Sequence, residues 1–330
     1  MLKHFFKTAP STPMSQITKG HVAILVANII FGVNVVISKS LMPEYITPLS
    51  LTFMRMIGAA LIFWFVSLFI KKEKIDRKDF GMIFLASMLG VLINQFFYIK
   101  GLSMTSPIEA SIVITFTPIL TMLMSAMYLK EPITGKKTIG VLLGASGAIL
   151  LILTSQIGQL GNGSMWGNIF CIFSGISYAA YLTFFKKIIC KYSPITLMKW
   201  MFLSASIISL PFSFPELRGV NYAAIPGLIY LRIAFVVVAA TFFTYILIPI
   251  AQKSLRPTTL SMYNYTQPVV ASLVALSLGL DTFGYTKIAS AILVFLGVYI
   301  VTQSKSRAQI DLEKMQKINN KGEQNYCQTK

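Results

Sequence analysis

Two stretches of the chain repeat one spacing of prolines and acids. Residues 106–137 read SPIEASIVITFTPILTMLMSAMYLKEPITGKK, and residues 256–287 read RPTTLSMYNYTQPVVASLVALSLGLDTFGYTK. A proline restricts where a helix can be regular, so a shared proline spacing predicts a shared helical structure. The chain is therefore predicted to contain two similar halves. The pairs that lie 150 residues apart are Pro107 and Pro257, Pro118 and Pro268, Glu131 and Asp281, and Lys137 and Lys287.

The earlier parts of the two halves also align, at a slightly different offset. Lys39 aligns with Lys186 at 147 residues, and Pro48 aligns with Pro194 at 146 residues. We expect small differences in loop length to account for the change to 150. Internal repeats of this kind are typical of membrane transporters.

Composition places most of the surface against lipid. The chain is 55% hydrophobic and 12% charged, whereas soluble domains are about 25% charged. A helix needs about 20 apolar residues to cross the hydrocarbon core. We predict an all-α membrane protein with ten transmembrane helices. Their expected bounds are 21–39, 48–70, 80–101, 106–129, 138–155, 164–187, 194–213, 226–250, 257–280 and 285–303.

The charge distribution predicts the orientation. The net charge of +18 would suggest a nucleic-acid partner in a soluble protein, but here positively charged cytoplasmic loops explain it. With the N-terminus inside, 22 lysines and arginines lie on the inner side and 4 on the outer side. We therefore expect both termini in the cytoplasm, an inner (cell) membrane location and no nucleic acid. Five helices per half is an odd number, so the second half must be inverted relative to the first.

Few residues suit catalysis or metal binding. The chain has only two histidines, His4 and His21, and three widely spaced cysteines. We expect no catalytic residues, no metal and no cofactor, and hence no enzyme. A G-x-x-x-x-G-K-[ST] loop for ATP is also absent from the sequence. The alternatives to a transporter are a non-transporting scaffold or sensor, or a membrane-bound transferase, which would need a His, Asp or Cys constellation.

Amides and phenols recur within the predicted spans of both halves. Polar groups at membrane depth turn toward the bundle interior. Each alone could simply bond two helices, at roughly 0.6 kcal/mol per bond. Together they favour a cavity that binds a polar or zwitterionic metabolite. The candidates are Asn28, Asn34, Asn94, Gln95, Tyr98, Tyr178, Tyr181, Tyr263, Asn264 and Gln267.

Two charged residues in the predicted spans have alternative interpretations. Arg55 lies about 10 Å into the second helix, at 1.5 Å per residue. It could bind a substrate carboxylate, extend to the outer interface or bind backbone carbonyls. Glu109 could carry a coupling proton, or it could be an exposed glutamate in the first turn of its helix.

Small and helix-breaking residues suggest which helices move and which pack. Pro118 and Pro268 lie near mid-membrane and predict either hinges beside the substrate path or static kinks. We assign Pro107, Pro257 and the paired acids to architecture, treating Glu131 and Lys137 as an exposed ion pair. The glycines of helices 5 and 10 predict close packing, within the chain or in a homodimer. Those glycines are Gly140, Gly144, Gly147 and Gly297.

These segments resemble the drug/metabolite transporter superfamily, EamA type, over about residues 20 to 303. The resemblance is carried by FGVNVVISK (31–39), PLSLTFMRMIGAA (48–60) with Arg55, the stretch 94–151, and YNYTQPVVASLVALSLGL (263–280) followed by Asp281. It implies ten helices, a central cavity between the halves, alternating access and usually export of metabolites or drugs. Glu109 departs from the family pattern, where relatives mostly have a small or uncharged residue.

The sequence thus predicts a secondary transporter that exports small polar or amphipathic metabolites, with protons as the candidate coupling ion. The expected divisions are a cytoplasmic segment 1–20, repeats at 21–155 and 164–303, and a cytoplasmic tail 304–330.

Overall fold

The computed structural model describes residues 13–42, 44–105, 110, 114–154, 165–277 and 284–305. Regular structure in these ranges is helical, without a β-strand. A short helix, Lys186–Lys191, follows the helix Met165–Phe184, and the helix over residues 257–277 contains a 3₁₀ turn at Tyr263–Tyr265. The helices are α1 (Pro13–Leu41), α2 (Pro48–Ser67), α3 (Arg77–Met104), α4 (Thr117–Tyr128), α5 (Gly135–Thr154), α6 (Met165–Phe184), α7 (Pro194–Gly219), α8 (Gly227–Ser254), α9 (257–277) and α10 (Tyr285–Thr302).

Six of the described helices are long and apolar enough to cross a membrane, namely α1, α2, α3, α6, α7 and α8. Two further apolar helices, Thr117–Tyr128 and Ile288–Thr302, are shorter. Large apolar side chains such as Leu61, Phe65 and Met127 are exposed on the helix surfaces, as contact with lipid requires. The all-helical membrane architecture is therefore confirmed, and the count of ten spans stays a prediction.

Several helix bounds differ from those predicted. α1 begins at Pro13 rather than near residue 21, and α7 continues to Gly219 rather than ending near residue 213. α2 ends at Ser67 rather than near residue 70. Hydropathy detects only the apolar part of a helix. A helix can continue through polar residues at its ends, and α7 continues through Pro211 and Pro215.

The second helix of each half begins with the same cap. The Thr47 hydroxyl accepts a hydrogen bond from Ser50 N, and the Ser193 hydroxyl accepts one from Thr196 N. Pro48 and Pro194 follow as the first residues of α2 and α7, where a missing N–H costs nothing. The aligned prolines are thus helix starts in both halves.

A π-helical segment interrupts the third helix of each half. In α3 it covers Met88–Ile93, and in α8 it covers Phe235–Phe243. These segments begin 147 residues apart, and the α-helical segments after them, Asn94–Met104 and Thr244–Ser254, begin 150 apart. The change from 147 to 150 therefore lies inside α8, whose π segment is longer. Our expectation of a loop-length difference was wrong for this change and holds only for the change between 146 and 147.

The aligned lysines Lys39 and Lys186 perform the same structural task. Lys39 Nζ donates to the carbonyls of Leu102 at 2.8 Å and Thr105 at 3.1 Å, at the end of α3. Lys186 Nζ donates to the carbonyl of Leu255 at 2.8 Å, at the end of α8. Each ammonium therefore satisfies carbonyls that the C-terminus of the third helix leaves without an intrahelical partner.

The glycines of α5 and α10 pack against each other within the chain. A Cβ atom added to Gly297 would lie 2.6 Å from the Gly140 carbonyl oxygen, and one added to Gly147 would lie 2.9 Å from the Ser290 carbonyl oxygen. The two backbones therefore touch, as small residues permit. Of the two alternatives, the structure supports the intramolecular contact.

Candidate functional site

A central cavity lies between the two halves and is lined by residues from both. Its volume is about 90 Å³, which is room for a few water molecules. Eight of the eleven predicted substrate-binding residues line this cavity. They are Asn34, Arg55, Asn94, Gln95, Tyr98, Tyr178, Asn264 and Gln267.

The other three predicted residues lie outside the cavity lining. Asn28 donates to the Ile24 carbonyl and accepts a 2.7 Å hydrogen bond from Gln267 Nε2. Tyr263 OH lies 2.8 Å from His21 Nδ1. Tyr263 and Gln267 therefore do not share one cavity-facing surface, because the 3₁₀ turn changes the helical register between them.

Tyr181, the third of these residues, is fully buried behind the cavity. Its ring lies against Gly90 and stacks on Tyr178, with ring centroids 6.2 Å apart. A side chain at position 90 would clash with this ring, because an added Cβ atom would lie 2.4 Å from Tyr181 Cδ2. The Tyr181 hydroxyl has no hydrogen-bond partner among the described residues. It therefore supports the cavity wall from outside.

Sequence reasoning missed several residues of the cavity lining. Tyr245 and Ile248 of α8 lie 150 residues after Gln95 and Tyr98, so the repeat offset could have identified them. The remaining lining residues lie on α1, on or just before α4, and on α6. They carried no comparable signal because they are apolar, small or common in membrane helices. They are Phe31, Ile114, Thr117, Cys171, Ser174 and Gly175.

The third helices of the two halves meet at the centre of the cavity. Gln95 Nε2 donates to Tyr245 OH at 3.1 Å, and Tyr245 OH donates to the Gly90 carbonyl at 3.2 Å. Gly90 belongs to the π segment of α3, and Gln95 is the second residue after that segment. Gln95 Oε1 remains buried without a partner among the described residues. Gln95 thus holds a buried acceptor at the cavity wall, without a partner in the described part of the chain.

Asn94 joins α3 to α6 at the cavity wall. Its Nδ2 atom donates to Ser174 Oγ at 3.0 Å, and Ser174 Oγ donates back to the Asn94 carbonyl at 2.9 Å. This reciprocal pair fixes the orientation of the Asn94 amide. A polar wall at this depth is thereby held in one geometry.

Arg55 lies in the interior and is 3% exposed. Its Nε atom donates to Thr241 Oγ1 at 2.9 Å, and Nη2 reaches the Ala240 carbonyl at 3.4 Å. Thr241 Oγ1 in turn donates to the Val236 carbonyl at 2.8 Å, five residues earlier in the π segment of α8. Arg55 forms no salt bridge with any carboxylate in the described ranges. It binds a backbone carbonyl, as one alternative predicted, and also lines the cavity.

Both mid-membrane prolines follow an interruption of their helix. Helical structure breaks at residues 115–116, just before Pro118, and at the 3₁₀ turn Tyr263–Tyr265, one turn before Pro268. A proline lacks the N–H that would bond to the preceding turn, which explains both irregularities. Glu109 and Asp281 lie outside the described residues.

A second contact between the halves lies at one end of the helix bundle. We call this the basic end, and it comprises the start of α1, the α4–α5 and α8–α9 connections and the end of α10. Lys137 Nζ lies 2.8 Å from Glu131 Oε2, and the two side chains are 1% and 11% exposed. Our treatment of this pair as exposed was therefore wrong. Thr258 of the second half donates to the same Glu131 oxygen at 3.3 Å.

Further polar groups of both halves lie near that contact. The Ser125 and Thr183 hydroxyls lie 3.4 Å apart, between α4 and α6. Burial lowers the pKa of the Lys186 ammonium, and the nearby charge of Glu131 opposes this effect. The two halves are thus joined by buried polar groups at the basic end.

The chain matches the model of the EamA-like transporter family twice, over residues 18–153 and 165–303. A protein of Archaeoglobus fulgidus named an uncharacterized transporter is 27% identical over 264 residues, covering 79% of this chain and 91% of that protein. YyaM of Bacillus subtilis, also named an uncharacterized transporter, is 23% identical over 259 residues, covering 77% of this chain and 84% of that protein.

A protein of known crystal structure shares the fold. It superposes with a TM-score of 0.69 at 15% identity, covering 88% of this chain and 98% of that chain. The similarity to the drug/metabolite transporters is therefore confirmed, and the apolar helices make the chain an integral membrane protein in contact with lipid. With matches over both halves of its length, this chain belongs to the EamA-like transporter family and is a membrane transporter of that type.

Proposed function

We propose that this protein is a secondary transporter that exports small polar or amphipathic metabolites. It works by alternating access between two inverted halves of five helices each, with ten spans in total. The observation that carries the proposal is the central cavity, whose lining includes aligned residues of both halves, Gln95 with Tyr245 and Tyr98 with Ile248. A site between two repeats near mid-membrane suits a substrate that must reach either side.

The chemistry of the cavity supports a substrate with both an anionic group and a hydrogen-bond donor. Arg55 supplies a buried cation without a carboxylate partner among the described residues, and an unpaired buried charge is costly. A substrate carboxylate would neutralise it. Gln95 Oε1 supplies an acceptor for an ammonium or amide group of the same substrate. A zwitterionic metabolite meets both requirements.

The size of the cavity supports a change of shape during transport. At about 90 Å³ it holds water but is smaller than typical sites for small molecules, which measure about 300–1,000 Å³. The buried contacts at the basic end hold the halves together there. We propose that these contacts separate when the path opens toward the cytoplasm, with bending at Pro118 and Pro268.

The direction and energy source belong to the same proposal. The excess of cations at one end supports cytoplasmic termini in a cell membrane. The sequence contains no ATP-binding loop of the G-x-x-x-x-G-K-[ST] type, so an ion gradient is the proposed energy source. Glu109 remains the proposed proton carrier.

Counterflow in proteoliposomes tests the proposal. Purified protein is reconstituted, loaded in turn with amino acids, other carboxylates and neutral polar metabolites, and assayed for exchange of labelled substrate. Exchange should require a carboxylate and should be lost in Arg55→Gln. The control Arg232→Gln changes an arginine that bonds Ser40 outside the cavity and should retain exchange. Absence of exchange across the panel would instead support a scaffold or sensor.

A further inference from the structure

A second cavity lies at the basic end of the bundle, apart from the central one. Its volume is about 390 Å³, larger than the central cavity. It is open to one side and is lined by the start of α1, the α8–α9 connection, the first turn of α9 and the end of α10. No residue lines both cavities. The substrate site therefore does not account for it.

The charged groups around this second cavity are basic. Arg256 and Lys305 supply cations and His21 an imidazole, and none of the described residues that line the cavity is a carboxylate. The Arg256 guanidinium is held in place because it donates to the Ser304 carbonyl at 2.7 Å, to Ser304 Oγ at 3.0 Å and to the Lys305 carbonyl at 3.1 Å. A fixed cation in a concave site favours an anionic ligand.

Two hydroxyl groups in the cavity have no hydrogen-bond partner within the described part of the chain, those of Ser254 and Thr259. Thr259 is 4% exposed, so its hydroxyl meets solvent only through the cavity. Neither hydroxyl oxygen is buried, so both are accessible to a ligand in the cavity and can donate to it. An anion with several acceptor oxygens would satisfy both hydroxyls while it binds Arg256.

The position of the cavity suits a lipid headgroup. Leu255 and Ile17 add apolar surface to the lining, and Ile17 is exposed at the start of α1. The cations of the chain concentrate at this end, which in the proposed orientation faces the anionic cytoplasmic leaflet. Basic pockets between membrane helices on that side can hold phosphate-bearing headgroups.

We propose that the cavity bounded by His21, Arg256, Thr259 and Lys305 binds the phosphate group of an anionic phospholipid. The phosphate oxygens accept hydrogen bonds from Arg256, Thr259 and Ser254, and the acyl chains leave past Ile17. A bound lipid then bridges α1, α9 and α10. The choice of a cytoplasmic-leaflet lipid rests on the proposed orientation, whereas the binding test below does not depend on transport.

The test uses the purified full chain in a neutral detergent. Thermal unfolding is followed as phosphatidylglycerol, phosphatidylcholine or inorganic phosphate is added, for the wild type and three variants. Arg256→Gln removes the fixed cation, and Thr259→Val removes a hydroxyl at nearly constant volume. Lys253→Gln is the matched control, because Lys253 is an exposed cation of the same connection that does not line the cavity.

Phosphatidylglycerol should raise the melting temperature of the wild type and of Lys253→Gln in a saturable way, and phosphatidylcholine should not. Arg256→Gln should weaken the apparent affinity by about tenfold. Thr259→Val should weaken it too, and this variant keeps the test valid if Arg256→Gln, which also loses the α10 cap, does not fold.

The addition of inorganic phosphate distinguishes a site for a lipid phosphate group from a site for free phosphate. If phosphate gives a saturable rise that Thr259→Val abolishes, and the lipid gives none, the site is an anion site but the assignment to lipid is overturned. Equal responses to the two lipids, or an unchanged phosphatidylglycerol affinity in both Arg256→Gln and Thr259→Val, would overturn the site itself.

Discussion

Arg55 of α2 and Thr241 of α8 are joined by a 2.9 Å hydrogen bond from the arginine Nε to the threonine hydroxyl, across 186 residues of sequence. The same hydroxyl donates to the Val236 carbonyl, which the π segment of α8 makes available. Arg55 is therefore oriented by an irregularity of the opposite half.

Thr241→Val should disturb transport without removing the charge of Arg55. The guanidinium would lose its bond to the hydroxyl and keep only the 3.4 Å contact with the Ala240 carbonyl. We expect a higher KM for carboxylate substrates and a smaller change in kcat, because the variant alters orientation and not charge. Uptake kinetics in proteoliposomes measure both constants. Thr241→Ser restores the hydroxyl and should restore KM; an unchanged KM in Thr241→Val would contradict this positioning role.

Tyr245→Phe should destabilise the protein and remove the energetic coupling between residues 245 and 95. The variant loses the bonds to Gln95 Nε2 and to the Gly90 carbonyl, each worth about 1 kcal/mol. Thermal unfolding of Tyr245→Phe, Gln95→Leu and the double variant forms a double-mutant cycle. We expect the double variant to be more stable than the sum of the two single effects predicts. Tyr285→Phe, at a tyrosine that is 91% exposed, is the control. Additive effects would mean that the pair is not coupled.

Thr258→Val should loosen the basic end of the bundle. It removes the hydroxyl that reaches Glu131 from the other half and leaves the Glu131–Lys137 pair intact. A cysteine introduced as Ser125→Cys, in a variant without the native cysteines, lies at the buried contact with Thr183. Its reaction with a thiol reagent measures how readily solvent reaches that contact. We expect Thr258→Val to increase the rate at which a polar thiol reagent modifies this cysteine.

The exposed pair between Asp76 and Lys191 supplies the control for that experiment. Asp76→Asn weakens a contact of 2.6 Å between the same two halves, but exposed pairs contribute about 0–1 kcal/mol. Modification of Ser125→Cys should therefore stay near the wild-type rate. If Asp76→Asn and Thr258→Val have equal effects, the buried contact has no special role in holding the halves together.

Gly297→Ala should destabilise the contact between α5 and α10. The added methyl carbon would lie 2.6 Å from the Gly140 carbonyl oxygen and 2.5 Å from Gly144 N, and backbone atoms cannot move aside cheaply. Overpacking of this kind costs about 1–3 kcal/mol. Gly81→Ala is the matched control, since nothing lies within 4 Å of its added Cβ. Thermal unfolding should show a lower melting temperature for Gly297→Ala alone, and equal melting temperatures would refute the close packing.

Glu73 should stabilise the protein in a pH-dependent way. Partial burial raises the pKa of Glu73, but hydrogen bonds from Ser193 and Thr196 outweigh burial and hold the pKa below its ordinary value of 4.5. Ser193 N donates to Glu73 Oε2 at 2.9 Å at the start of α7. A depressed folded pKa means that the stabilisation is present above the unfolded pKa. It is lost as the pH falls through the folded value.

Melting temperatures of the wild type and Glu73→Gln, measured across the acid range, test this dependence. The wild type should be the more stable at neutral pH, and the difference should vanish below the folded pKa. A difference that stays constant with pH would show that the charge of Glu73 does not contribute.

The sequence alone determined the duplication, the membrane class and most of the polar cavity lining. These properties depend on local features: the length of apolar runs, the positions of prolines, and the cost of placing amides and phenols against lipid. The eight lining residues that were predicted carry polar side chains, and contact between such side chains and lipid costs free energy. The similarity of the two helix starts at Pro48 and Pro194 is equally local, because a cap and a proline act within one turn.

Tertiary structure decided which of these groups meet and how. The change of repeat offset was visible in the sequence, but only the backbone showed that it lies in the π segment of α8. The burial of Glu131 with Lys137, the bond from Arg55 to Thr241, and the pairing of Gln95 with Tyr245 all follow from helices that pack across long sequence separations. No local pattern encodes such contacts, because their free energy depends on which surfaces are brought together and on how much water is excluded between them.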